Sequence, residues 1–112
     1  MTYVFPTFNN SSWILYSINS LSGYLAEATG NPSYTNAALL SANWIKNVNL
    51  NSNDIVLDTV SGADCSRSPS NWLFTYNSGK YVEGLSVLAN ITNDSSWTQL
   101  QVEIFLVEDM FY

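Results

Sequence analysis

Displacing the sequence by 63 positions lays Leu25 on Leu88, Ala26 on Ala89, Thr29 on Thr92, Asn31 on Asp94, Ser33 on Ser96 and Tyr34 on Trp97. The shared unit is an apolar helix end, a Thr-containing polar turn, a small residue and an aromatic at the head of the next helix. Each copy therefore reads as a helical hairpin. Hairpins of this kind bury their apolar faces only by stacking on neighbours. The expected fold class is all-α, with the hairpins belonging either to an α-solenoid or to a closed α/α-barrel.

Apolar spacing places four helices. From Ser12, Ile14, Ile18, Leu21, Leu25 and Ala28 recur at steps of four and three, with Trp13, Ser17, Ser20 and Tyr24 as a second stripe beside them. Both stripes are expected to be buried. Thr29-Gly30-Asn31-Pro32 then stops one helix and starts another: Gly30 suits a left-handed C′ position, Asn31 an N-cap and Pro32 the first helical residue. The second helix is expected to run to about Asn47, burying Tyr34, Ala38, Ser41, Ile45 and Val48. A third runs from about Asn77 to Ala89 on the stripe Tyr81, Leu85, Leu88, with Val82, Ser86 and Ala89 as another. A fourth carries Trp97, Leu100, Ile104, Val107 and Phe111 to the chain end. Between the second and third, about 28 residues intervene, including the β-prone run Ile55 to Val60 and a polar segment, Ala63 to Asn71. Connections that long are usually functional or disordered; here the loop favours a barrel, whose loops line a cleft on one face.

Composition narrows the function classes. Nine carboxylates against Lys46, Arg67 and Lys80 give a formal charge of −6, so no basic patch is present to neutralise phosphates and nucleic acid is not an expected partner. No apolar run is long enough to span a membrane. Met1 to Asn10 has no basic start followed by an apolar block, so no signal peptide is visible. Sequons at Asn9, Asn10, Asn90 and Asn93, in a chain rich in Asn and Ser, point to a secretory parent protein. Without histidine, the lone Cys65 is not expected to be a catalytic nucleophile, and neither a metal site nor a cofactor is expected. In a secreted parent, the partner of Cys65 is expected outside this chain.

The residues Leu25-Ala26-Glu27-Ala28-Thr29-Gly30-Asn31-Pro32-Ser33-Tyr34, Ile55-Val56-Leu57-Asp58 with Ser61-Gly62-Ala63-Asp64-Cys65, and above all Thr75-Tyr76-Asn77-Ser78-Gly79, resemble fungal members of glycoside hydrolase family 76, the endo-α-1,6-mannanases and related cell-wall proteins. The resemblance spans roughly residues 20 to 98. It implies an (α/α)6 barrel of which residues 1–112 form a central to C-terminal part, and a polysaccharide substrate, α-mannan. The family cleaves α-1,6-mannosyl linkages with an adjacent Asp-Asp pair, nucleophile and general acid/base, the two-carboxylate logic of retaining glycosidases. No Asp-Asp pair occurs here, so no catalytic residue is assigned and this chain alone is expected to be inactive.

Substrate contact is expected at Tyr76 and Asn77, with Asp64 and Trp72 as further candidates. The resemblance puts the Thr-Tyr-Asn-x-Gly turn at the cleft, and the sequence puts the same residues at a helix start after the longest loop, where backbone donors are unpaired. Asn offers a donor and an acceptor to sugar hydroxyls, and Tyr a ring face with a hydroxyl tip. The plain structural reading is that Asn77 or Ser78 caps the helix with Tyr76 packed beneath it. Likewise Asp58, Asp64 and Glu83 are carboxylates that read either as chemistry or as a turn ligand, a loop cap and a solvated helix residue. Trp72, Phe74 and Tyr76 read either as sugar platforms or as core. At the level of the whole chain the alternatives to a glycosidase part are a non-catalytic carbohydrate-binding or scaffold protein and a helical interaction module.

Overall fold

A computed structural model describes residues 13–58, 60, 61, 63, 64, 66, 67 and 75–111, with side chains placed between residues 19 and 107. Four α-helices carry the fold: α1 (Trp13–Thr29), α2 (Pro32–Trp44), α3 (Thr75–Thr92) and α4 (Ser95–Phe111). The described residues form no named strand. Two-residue links make α1–α2 and α3–α4 hairpins, and the two hairpins pack mainly through α1 against α3. The chain is all-α, as its repeat requires.

The two turns are near copies. Thr29 and Thr92 each donate their hydroxyl to the carbonyl four residues back, at 2.6 and 2.7 Å. Gly30 and Asn93 each take left-handed backbone, φ +67° and +54°, a conformation that Gly enters freely and Asn tolerates. Asn31 and Asp94 then each accept the backbone N–H two residues on, both at 3.0 Å, satisfying a donor that the helix start leaves open.

The core is centred on α3. Tyr81, Leu85 and Leu88 are fully buried and meet Ala38, Ala42 and Ile45 of the first hairpin and Trp97, Leu100 and Ile104 of α4. Each large apolar side chain so buried contributes about 1.5–3 kcal/mol. The Tyr81 hydroxyl donates to the Ala42 carbonyl at 2.9 Å, which keeps its polar end satisfied. The Lys46 ammonium lies 5.8 Å from the Trp97 ring centroid and ties the end of the first hairpin to the start of α4. Of the expected α2 stripe, Ala38, Ser41 and Ile45 are buried and Tyr34 and Val48 half-buried.

Helix α1 corrects the expected stripe. Leu21 is 60% exposed, Ala28 and Tyr24 are exposed and Leu25 is half-buried, while the buried face is Asn19, Ser20, Ser22, Gly23 and Ala26. The cause lies in close helix approach. A Cβ added at Gly84 would sit 1.8 Å from Asn19 Oδ1, and one at Gly23 3.2 Å from a Val87 methyl. Small residues at the crossing let α3 come closer than a Leu-lined face would permit, and the Asn19 amide crosses to α2, donating to the Ala38 carbonyl at 2.9 Å. The side chains of Trp13, Ile14, Ser17 and Ile18 lie outside the described residues.

Helix bounds move as well. The second helix, expected to reach Asn47, is α-helical only to Trp44 and continues as a π-helical turn, Ile45–Asn49, closed by Leu50 N–H on the Ile45 carbonyl at 3.0 Å. The widened turn points Asn49 inward, where its side-chain amide donates to the Leu57 carbonyl and its backbone carbonyl accepts Leu57 N–H. The β-prone run thus becomes a buried crossing segment, with Ile55, Val56 and Leu57 in the interior and isolated antiparallel bridges at Leu50–Val56 and Val60–Arg67. The third helix begins two residues earlier than expected, at Thr75.

Candidate functional site

The buried crossing segment ends at Asp58, which reaches the start of α3. Asn77, 2% exposed, donates its amide to Asp58 Oδ1 at 2.9 Å. Because α3 begins at Thr75, Asn77 stands inside the first turn, and its side chain turns away from the helix end toward the loop. A link between residues 19 apart fixes where the long loop leaves the core. Beside it, Ser78 is fully buried with no hydrogen-bond partner for its hydroxyl among the described residues.

Tyr76 is on the other side of the same turn, 55% exposed. Placing polar Asn77 and Ser78 inward leaves Tyr76 and Gly79 outward, since neighbours one residue apart on a helix face different ways. The sequence-expected residues therefore divide: Tyr76 is presented to the surface, and Asn77 supports it from beneath. Trp72, Phe74 and Cys65 lie outside the described residues.

Asp64 belongs to a separate turn of the loop. Its Oδ1 accepts both the Ser66 N–H at 3.0 Å and the Ser66 hydroxyl at 2.7 Å. Those bonds, with a further one from the Ser61 hydroxyl, hold its carboxyl below the usual carboxylate range. A carboxylate stabilised in this way is a poor general acid, a role that needs a raised pKa. Arg67 anchors the same loop by donating to the Leu50 carbonyl at 3.0 Å.

Glu83 is the remaining carboxylate near the junction of α1 and α3. Its Oε1 accepts the Tyr24 hydroxyl and its Oε2 meets Lys80 Nζ, both at 3.2 Å. The Tyr24–Glu83 and Asp58–Asn77 links are the features that sequence reasoning missed. No local signal marks either, because spacing along the chain says nothing about partners brought together only by packing. Among the described residues, no group of three or more His, Cys, Asp or Glu is placed to hold a metal ion, and no helix is long and apolar enough to cross a membrane.

The sequence model of glycosyl hydrolase family 76 matches residues 12–110 of this chain. No curated protein and no solved structure matches it significantly.

Proposed function

The chain belongs to glycosyl hydrolase family 76, and from that premise we propose that it supplies a substrate-contacting part of an enzyme cleaving α-1,6-mannosyl linkages in cell-wall mannan. The observation that carries this reading is the family match over 12–110 joined to an exposed Tyr76 next in sequence to the buried Asn77, whose amide holds Asp58. Tyr76 gives a sugar ring an apolar face and a hydroxyl. Asn77 and Asp58 fix the turn that presents it, and Asp64 and Trp72 are proposed as further contacts from the loop.

Hydrolysis itself we assign elsewhere. Retaining cleavage needs two carboxyl groups about 5–5.5 Å apart, one of them protonated to assist the leaving group. Here Asp58 is committed to Asn77, Asp64 to Ser66, and Glu83 to Tyr24 and Lys80. The family's adjacent Asp-Asp pair is not among these 112 residues. Secretion or attachment to the wall accords with the sequon at Asn93, whose side chain stands exposed at the α3–α4 turn.

The test is turnover of α-1,6-mannan by the product of the native gene, with Tyr76→Ala compared at equal fold stability. Expected is cleavage by the unaltered product and a loss of about tenfold in kcat/KM on truncation, the equivalent of roughly 1.4 kcal/mol. A product that binds mannan without cleaving it would favour the non-catalytic carbohydrate-binding reading. One that neither binds nor cleaves it would contradict both.

A further inference from the structure

Tyr24 and Tyr76, 46% and 55% exposed, flank one charged pair. Tyr24 donates to Glu83 Oε1 at 3.2 Å and Lys80 meets Glu83 Oε2 at 3.2 Å. Tyr76, Lys80 and Glu83 follow at steps of four and three, so they share one face of α3. From Tyr76 to Glu83 the helix rises about 10 Å, enough for more than one sugar ring. Contrast Tyr81, whose ring is buried and whose hydroxyl is spent on the Ala42 carbonyl.

The strip is also held rigidly. Ser20 donates its hydroxyl to the Lys80 carbonyl at 3.1 Å, and the close approach of Gly84 to Asn19 sets the separation of α1 from α3. A preorganised surface loses less freedom on binding. Its chemistry selects the ligand class. Lys80 offsets the Glu83 charge, the exposed Glu27 carboxylate stands near enough to act on Tyr24, and vicinal hydroxyls find acceptors on the carboxylates and donors on the ammonium. Two ring faces offer stacking to the C–H faces of pyranoses. Hydrogen bonding to the Glu83 carboxylate, with its charge nearby, holds the Tyr24 phenol above its usual value.

We propose that Tyr24, Tyr76, Lys80 and Glu83 form a contact strip for a neutral oligosaccharide across the α1–α3 junction. The strip extends the substrate contact from the Tyr76 turn onto the first hairpin, and it rests on reading the chain as part of a glycosidase. Tyr24, Lys80 and Glu83 enter as ligand contacts, and none of them is given a role in bond cleavage.

The experiment is an NMR titration of the purified 112-residue chain with α-1,6-mannotriose, and in parallel with cellotriose and xylotriose, repeated on Tyr24→Phe, Tyr76→Ala and Glu83→Gln. All three side chains are half-buried or exposed, so circular dichroism is expected to be unchanged. Expected are saturable shifts with α-1,6-mannotriose at Tyr24, Tyr76 and Glu83, a loss of tenfold or more in affinity for Tyr76→Ala, and smaller losses of threefold to tenfold for the two conservative changes. Equal dependence on the strip for cellotriose or xylotriose, with no binding of the mannotriose, would keep the strip and overturn the α-1,6-mannan reading. Mannotriose binding that none of the three variants alters would overturn the strip and leave the mannan reading standing. Absence of saturable binding by any of the three sugars would likewise overturn the strip, while turnover by the native gene product would still decide the mannan reading.

Discussion

The two hairpins share a turn and differ in what they bury. At the turns, Thr29 and Thr92, Asn31 and Asp94 make the same hydrogen bonds at nearly the same lengths, and a side-chain bond from Asn90 to Glu27, again 63 residues apart, joins equivalent positions of α1 and α3. In their interiors the resemblance stops. Helix α3 buries Tyr81, Leu85 and Leu88, whereas α1 buries Asn19, Ser22, Gly23 and Ala26 and leaves Leu21 in solvent. Position by position, Leu85 stands where α1 has Ser22, and Gly84 where α1 has Leu21. A repeat thus conserves the geometry of its corners while each helix face is set by how closely its neighbour approaches.

That contrast can be broken in four places. The largest effect is expected at Leu85→Ala, a fully buried side chain at the centre of the core, which should cost about 3 kcal/mol in urea denaturation. Leu21→Ala should change stability by less than about 0.5 kcal/mol in the same assay; equal losses at both sites would mean that α1 is packed by its apolar stripe after all. Next comes the close crossing. Gly84→Ala brings a methyl group against Asn19 Oδ1 and within 3.3 Å of the Ser20 backbone nitrogen, and should cost about 2 kcal/mol. Gly79→Ala, with nothing within 4 Å of the new Cβ, should instead stabilise α3 by about 0.5–1 kcal/mol. A thermal melt in which both glycines respond alike would contradict the close approach.

Smaller effects separate the two turns. Asn31→Ala removes the N-cap bond of α2 and should lower stability by about 1 kcal/mol at any pH from 3 to 8. At the equivalent position, Asp94 is held below the usual carboxylate range by the Ser96 hydroxyl and backbone N–H. A depressed native pKa makes its contribution fully present above the unfolded value, about 3.9, and lost as the pH falls through the lower folded value. The deficit of Asp94→Asn measured by chemical denaturation should therefore be constant near neutrality and shrink as the solution is acidified below about pH 4. An acid-independent deficit would show that Asp94 caps α4 by hydrogen-bond geometry alone, like Asn31.

Much of the fold was legible because its signals are local. The offset of 63, the Gly-Asn-Pro turn and the stripe Trp97, Leu100, Ile104 each report a periodicity or a cap that the chain carries within a few residues. The face of α1 was not, since Ile-Leu spacing cannot show that Gly23 and Gly84 bring two helices into close contact. Nor was the π-helical turn at Ile45–Asn49, which depends on Asn49 finding Leu57 across the loop. At the candidate site, Tyr76 and Asn77 stood out by residue type and by their place after the long loop. Their division into an exposed ring and a buried support depends on Asp58, and the Tyr24 side of the strip on Glu83, 59 residues away.

On the function proposed above, this chain holds sugar and leaves bond cleavage to carboxylates outside it. The decisive experiment is incubation of the purified 112 residues with α-1,6-mannan oligosaccharides, followed by assay of new reducing ends. No product is expected above the enzyme-free control under conditions where binding is saturated. Any product released by the chain would overturn that assignment, and its loss in Asp58→Asn combined with Asp64→Asn would place the chemistry on the carboxylates that hold the loop.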